Sequence, residues 1–256
     1  IGEQTKASVL LGELHEDVMK TLDLVVMSPG VPTDLPVVNQ MRDMGIPIWG
    51  EIELGFTYGK GDVLAITGTN GKTTTTALLG EIMKNYKESV YVVGNIGNPY
   101  TAVALDMTEE SVAVAEVSSF QLETIHAFRP RVSAILNITP DHLNRHHTME
   151  AYIEAKEDVA KNQTKDDTCV LNYEDEVLRK FGENVNAKVL YFSSRRKLDK
   201  GIYLENGNLV YKDKDETVIC HVEELQLLGT HNYENVMAAS AMAIAYGVPM
   251  DVIQKT

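Results

Sequence analysis

The 256-residue chain is expected to fold as a doubly wound α/β domain with a mostly parallel sheet and a small antiparallel subregion, preceded by part of a Rossmann-like α/β unit. Three observations carry that expectation. Apolar runs of buried-strand type recur at 62–67, 89–94, 111–117, 132–138, 168–173 and 188–193. Helical stretches lie between most of them, notably 72–85, 148–163 and 174–181. The first of these strands stops at a glycine-rich turn, after which a lysine and two threonines open an apolar helix.

The first 50 residues alternate in shorter units. Ser8–Leu11 reads as a weak strand, Glu13–Thr21 as a helix and Leu24–Met27 as a clear strand ending at Ser28-Pro29-Gly30-Val31-Pro32. A helix over Pro36–Met44 and a strand over Ile46–Trp49 follow. These residues, 1–50, form one expected domain and 51–256 the other. Within the second, Ile202–Leu204 and Leu209–Tyr211 flank an Asn206-Gly207 turn, the pattern of a hairpin, and Val218–Cys220 can add a further antiparallel strand. An alanine-rich helix at 231–246 and a last helix begun at Pro249 close the chain.

Composition narrows the partners. The chain is 44% hydrophobic, enough for a substantial core, and carries a net charge of −14, which argues against nucleic acid and anionic membranes. An anionic ligand must therefore be met locally, by backbone amides and a few lysines. Cys169 and Cys220 lack metal-ligand spacing and read as buried free thiols of a reducing cytoplasm. No apolar run approaches a membrane span and no signal peptide is present, so a soluble, cytoplasmic protein is expected.

The turn Gly68-Thr69-Asn70-Gly71-Lys72-Thr73-Thr74 has the parts a triphosphate needs. Gly68 and Gly71 let backbone N–H groups approach phosphates, the helix N-terminus adds partial positive charge, Lys72 adds a full one, and a threonine hydroxyl can hold Mg²⁺. The spacing departs from the usual phosphate loop, because Ile66 stands where that pattern has its first glycine. Ligands of an open parallel sheet bind outside the carboxyl ends of the strands. Three further strand ends deliver polar groups to the same edge: Asn95 in Gly94–Gly97, Glu116 with Ser118 and Gln121, and Asp141-His142.

Each candidate has a plainer reading. Glu116 can be a structural ion pair instead of a metal ligand, His142 and Asp141 loop caps, Asn95 a turn former and Asn232 a helix cap. Asn232 and Asn235 share a helix face that can meet a nucleotide base or ribose. His146 and His147 read as surface residues, and Lys156, on its local sequence, as an ordinary lysine on a solvated helix face.

Taken together these strings resemble the Mur ligases, the ATP-dependent amide-forming enzymes of peptidoglycan synthesis. The loop at 68–74 is similar to their shortened phosphate loop, and His231-Asn232 with Asn235 and Ala238-Ala239 to their helix motif. Glu116-Val117-Ser118-Ser119-Phe120-Gln121-Leu122-Glu123, Asn137 to His146, and Ser28 to Pro32 resemble the D-glutamate-adding branch. The resemblance covers essentially the whole chain and implies a uridine-nucleotide domain followed by a central ATPase domain, with the start of the first and a closing third domain absent. It implies that ATP, UDP-N-acetylmuramoyl-L-alanine and D-glutamate react through an acyl phosphate, in a monomer. It implies that Lys72 neutralises phosphate, that Thr73 or Thr74 and Glu116 hold Mg²⁺, and that His142 and a carbamylated Lys156 serve a second Mg²⁺. Asn95, Ser118, Gln121 and His142 would meet the muramoyl substrate, Ser28-Pro29-Gly30 its uridine diphosphate, and Asn232 and Asn235 the nucleotide. Two other readings stay open: a folylpolyglutamate-synthetase-like ligase, against which the Ser119-Phe120-Gln121 string weighs, and a nucleotide-binding module without ligase activity.

Overall fold

A computed structural model describes residue 5 and residues 7–225 and 229–256. Its centre is a nine-stranded sheet. The strands are β3 (Asp62–Thr67), β4 (Val90–Gly94), β5 (Val112–Glu116), β6 (Val132–Ile135), β7 (Thr168–Asn172), β8 (Lys188–Ser193), β9 (Gly201–Glu205), β10 (Asn208–Lys212) and β11 (Glu216–His221). They lie in the order β11-β10-β9-β8-β7-β6-β3-β5-β4. Pairings from β4 through to β9 are parallel, and β9-β10-β11 are antiparallel, the expected hairpin with its third strand. Asn206 and Gly207 both take positive φ, as a two-residue hairpin turn requires.

The sheet is buried on both faces because its strands are apolar at successive positions, which point alternately up and down. Leu64 and Ile66 of β3 enter one core with Leu79, Met83, Met237 and Ala241, beneath helices Lys72–Lys84 and Thr230–Tyr246. Val63 and Ala65 enter the other with Ile52, Phe128, Tyr152 and Leu178, beneath helices Glu51–Tyr58, Met149–Glu157 and Glu176–Gly182. Ala238, Ala239, Ala241 and Ala243 of the long helix are fully buried, and their small side chains let it lie close to the sheet.

The first 50 residues contribute β1 (Val25–Met27) and β2 (Ile48–Gly50), paired in parallel, with helices Glu16–Met19 and Pro36–Asp43. Met19, Met27, Val38, Met41, Ile46 and Ile48 form a separate small core. Ser8–Leu11 is not a strand: no described strand lies beside it to complete a ladder, and Val9, Leu10 and Leu11 are exposed. The helix expected over 13–21 contracts to four residues, and His15 at its N-cap offers no side-chain bond. The helix expected over 148–163 ends at Glu157 and tightens into a 3₁₀ turn at Asp158–Ala160. Beyond it, Asn162 and Gln163 bond backbone carbonyls of residues 126, 128, 130 and 168 instead of continuing the helix.

Helix Glu51–Tyr58 was not anticipated, and its anchor is a buried carboxylate. Glu53 is fully buried, and its oxygens accept the N–H groups of His126 (2.9 Å), Ala127 (2.7 Å) and Phe128 (3.0 Å). Phe56 meets Phe128 edge to face, with centroids 5.4 Å apart. Glu53→Ala leaves those donors without their acceptor and should cost about 3 kcal/mol of stability, read as a lowered urea midpoint at unchanged slope. An unchanged midpoint would show that the carboxylate does not anchor the helix.

Candidate active site

The phosphate loop leaves β3 where the sheet switches direction, with β5 on one side and β6 on the other. Gly68 has φ +138° and Gly71 +88°, values that L side chains rarely adopt, and a Cβ on Gly71 would also collide with Oδ1 of Asn235. The loop is pinned from the β6 side. Thr69 N–H donates to the Asn137 carbonyl (2.9 Å), Asn70 N–H to Asn137 Oδ1 (2.9 Å), and Asn137 Nδ2 returns a bond to the Asn70 carbonyl (3.1 Å). The hydroxyl of Thr69 accepts from Thr139 N–H and lies 3.0 Å from the hydroxyl of Tyr152. Gly71 caps helix Lys72–Lys84 without a side-chain bond. The first N–H groups of that helix have no acceptor within it and, with the helix dipole, present positive potential to the loop. Lys72 folds back, its ammonium donating to the carbonyls of Gly68 and Thr69 at 3.0 Å each.

Glu116 ends β5 and is buried, 1% exposed. It accepts from Thr73 Oγ1 at 2.9 Å and from Asn95 Nδ2 at 2.8 Å. Among the described residues no ion pair includes it, so the structural-salt-bridge reading finds no partner. A buried carboxylate met only by neutral donors is poorly compensated, and a divalent cation would supply the missing charge. Among the described residues no three or more His, Cys, Asp and Glu side chains gather as a metal site. A cation here would thus draw on Glu116 and the Thr73 hydroxyl, oxygen donors of the kind Mg²⁺ accepts.

Lys156 corrects the local expectation of a solvated face. It is 2% exposed, its Nζ donates to the Gly68 carbonyl at 2.8 Å, and it stands 4.7 Å from the centroid of the Tyr152 ring. Burial first, then the charge of Lys72, push its pKa down to about 7, against the pull of Asp141. Both lysines thus reach one carbonyl of the phosphate loop. His142 takes the left-handed conformation, φ +51°, at the start of the short helix Leu143–His146. It is half exposed, accompanied by Asp141, and its ring lies tilted against that of Phe120, centroids 5.0 Å apart.

On the far side of the loop lies a cavity of about 380 Å³ lined by Asn70, Gly71, Leu136, Phe192, His231 and Asn235 among others, a size suited to a purine. Asn235 accepts from Thr75 at 3.4 Å and donates to Asn232 at 3.3 Å, so Asn235 faces the loop and Asn232 reaches it only through Asn235. Opposite, Ser28 and Pro29 line a crevice with Phe120, Gln121 and Arg145, while Gly30 lies exposed outside it. Ser118 and Gln121 form a reciprocal capping box on the short helix Ser119–Leu122, and this engages the side-chain Oε1 of Gln121.

Several residues at the site escaped sequence reasoning. Asn137 and Tyr152 hold the loop, and Phe192 lines the cavity beyond it. Tyr152 stands four residues before Lys156 on one helix face, a spacing that links the two once the lysine is known to be buried. His146 is buried, not a surface residue, whereas His147 is exposed as expected. His146 Nε2 lies 3.0 Å from Ser119 Oγ, and its Nδ1 lies 3.4 Å from Glu123 Oε1, the order of a hydrolytic triad. Two facts remove that chemistry: Ser119 is 2% exposed, and Arg145 occupies the Glu123 carboxylate at 2.7 Å. Burial holds the His146 pKa below its ordinary value.

Fold and loop define a parallel-sheet α/β domain with a shortened phosphate loop, flanked by a buried carboxylate and a buried lysine. Residues 66–243 match the Mur ligase middle domain and residues 3–50 the N-terminal domain of MurD-like Mur ligases. The chain belongs to the Mur ligase family. It is 59% identical over 251 residues to the UDP-N-acetylmuramoylalanine--D-glutamate ligase of Lachnoclostridium phytofermentans, covering 98% of this chain and 55% of that protein. Its identity to the enzyme of the same name from Clostridioides difficile is 51% over 246 residues, covering 96% and 54%. The chain spans about half the length of the curated relatives it matches. Among solved structures it resembles MurF from Acinetobacter baumannii (TM-score 0.60, 22% identity, 80% of this chain and 47% of that one). It likewise resembles MurC from Thermotoga maritima (TM-score 0.59, 24% identity, 91% and 53%). At those identities the likeness concerns the fold. Among the described residues no helix is long and apolar enough to cross a membrane.

Proposed function

We propose that this chain is the substrate- and nucleotide-binding part of a cytoplasmic, monomeric, ATP-dependent ligase that joins D-glutamate to UDP-N-acetylmuramoyl-L-alanine. Residues 1–50 serve the uridine end and residues 51–256 the ATP end. The observation that carries the reading is the meeting of Lys72 and Lys156 on the Gly68 carbonyl, on the same phosphate loop whose Thr73 bonds the buried Glu116. The substrates are those for which a relative 59% identical is named, and that likeness supports the reading.

The chemistry follows from the difficulty of the reaction. A carboxylate is a weak electrophile with no leaving group, and phosphorylation supplies both. The substrate carboxylate oxygen attacks the γ-phosphorus, the bond to the β-phosphate oxygen breaks, and ADP departs. The D-glutamate amine then attacks the acyl carbon, and phosphate leaves with the electrons of the C–O bond. Bringing two anions together is the main obstacle, so positive charge and oriented N–H groups lower the barrier. Lys72 and the N-terminus of helix Lys72–Lys84 supply them at the phosphates. Thr73, with Thr74 as the alternative hydroxyl, and Glu116 would hold Mg²⁺, which would supply charge neutralisation at the phosphates. A second ion would be served by His142 and by Lys156 once CO₂ converts its neutral amine to a carbamate. Asn232 and Asn235 meet the nucleotide, Asn95, Ser118, Gln121 and His142 the muramoyl part, and Ser28-Pro29-Gly30 the diphosphate.

The test is phosphate release by the full-length protein given ATP, Mg²⁺, UDP-N-acetylmuramoyl-L-alanine and D-glutamate. Release that requires both the uridine nucleotide and D-glutamate is expected. Release with folate-type acceptors instead, or release indifferent to D-glutamate, would defeat the proposal.

A further inference from the structure

We propose that Arg145 is a positioning residue for the uridine substrate, clamping the loop at 28–33 onto the Phe120–Gln121 edge of the ATP-side site. The identity of that substrate rests on the ligase reading above. The clamp is built from both sides. Nη2 of Arg145 donates to Glu123 Oε2 at 2.7 Å and to the Val31 carbonyl at 3.0 Å, while Nε donates to Glu123 Oε1 at 3.3 Å. Glu123 also accepts the hydroxyl of Thr33 at 3.0 Å. The loop is therefore tied twice, through its backbone at Val31 and its side chain at Thr33, to one ion pair of the neighbouring unit.

This pair differs from an ordinary surface salt bridge, which contributes little. Its side chains are 11% and 15% exposed, the fork engages both carboxylate oxygens, and the guanidinium stands 5.0 Å from the centroid of the Phe120 ring. A lysine has neither the fork nor the flat face. Ser28 and Pro29 precede the tied residues and line one wall of the crevice, while Phe120, Gln121 and Arg145 line another. Holding Val31 and Thr33 thus fixes where Ser28 and Pro29 stand relative to Gln121. The contacts continue toward the phosphate loop: the ring of His146 beside Glu123 lies tilted against Tyr152, centroids 5.3 Å apart, and the Tyr152 hydroxyl meets Thr69. The Ser119-His146-Glu123 row, inert as a triad, is the rigid base of the clamp.

In the full-length protein, Arg145→Lys should raise KM for UDP-N-acetylmuramoyl-L-alanine roughly 10-fold with KM for ATP changed less than about twofold. Thr33→Val, which removes one tie and leaves the ion pair, should shift the same constant in the same direction by roughly threefold. A merely structural role would lower melting temperature and active fraction with both KM values unmoved. Calorimetric titration of each variant with the uridine nucleotide alone reads the clamp without turnover. Wild-type protein that binds the nucleotide but shows no D-glutamate-dependent phosphate release defeats the ligase reading and leaves the clamp measurable. Unchanged nucleotide affinity in both variants, parallel rises in both KM values, or no nucleotide binding by the wild type overturns the clamp.

Discussion

Replacing Lys72 by alanine in the full-length protein should lower turnover by about 10³-fold or more while the fold persists. The ammonium is the one full positive charge within the loop at 68–74. It bonds the carbonyls of Gly68 and Thr69, so it already stands beside the surface that phosphates would cover. Loss of those two bonds costs the ligand-free fold only about 1–2 kcal/mol, because the Gly68 carbonyl keeps its bond from Lys156 and Thr69 is only partly buried. The loop keeps its other supports, the bonds from Asn137 and the contact with Tyr152. Far-ultraviolet dichroism and the melting curve should therefore stay close to wild type while D-glutamate-dependent phosphate release vanishes. Calorimetry with ATP and Mg²⁺ on the present chain should show the same loss as weakened nucleotide binding. Retained turnover would remove the loop from the mechanism, whatever the family.

The contrast between Lys72 and Lys156 marks how far the sequence could be read. Lys72 sits in a local pattern, strand, glycine turn and helix, whose geometry is set by neighbours along the chain. The same holds for the sheet: β3 to β8 are legible as apolar runs because both faces of a parallel sheet are covered. The hairpin of β9 and β10 is legible from Asn206-Gly207. Lys156, His146 and Glu53 are polar residues whose burial depends on what folds over them, and helical periodicity carries no such information. Helix Glu51–Tyr58 was missed for that reason. Its hold on residues 126–128 is a contact across more than 70 positions. The strand expected at Ser8–Leu11 failed by the same physics reversed, since apolar residues make a strand only beside a partner. For Lys156 the local reading fails on burial alone: the partner that buries it, the Gly68 carbonyl, lies 88 positions away, and a single helix cannot reveal it.

Lys156→Ala in the full-length protein should be inactive and should recover part of its turnover when formate or acetate is added. The amine lies against the Gly68 carbonyl with its pKa near 7, set by burial and by the charge of Lys72. A large share of it is therefore neutral at neutral pH, and only the neutral amine can take up CO₂. An unburied lysine near 10.4 would be almost wholly protonated there. Activity should accordingly fall below about pH 7 and rise with added bicarbonate. The sign for stability follows independently. Between about pH 7 and the unfolded value the unfolded chain holds one proton more than the folded chain, so the contribution of Lys156 to stability rises with pH. Below about pH 7 the buried ammonium weighs fully against folding. The melting temperature of wild type relative to Lys156→Met should therefore climb from pH 6 to pH 9, measured on the present chain with no substrate. Parallel curves would mean that Lys156 keeps its proton. Full activity of Lys156→Ala without a carboxylate would mean that the site has no need of the carbamate.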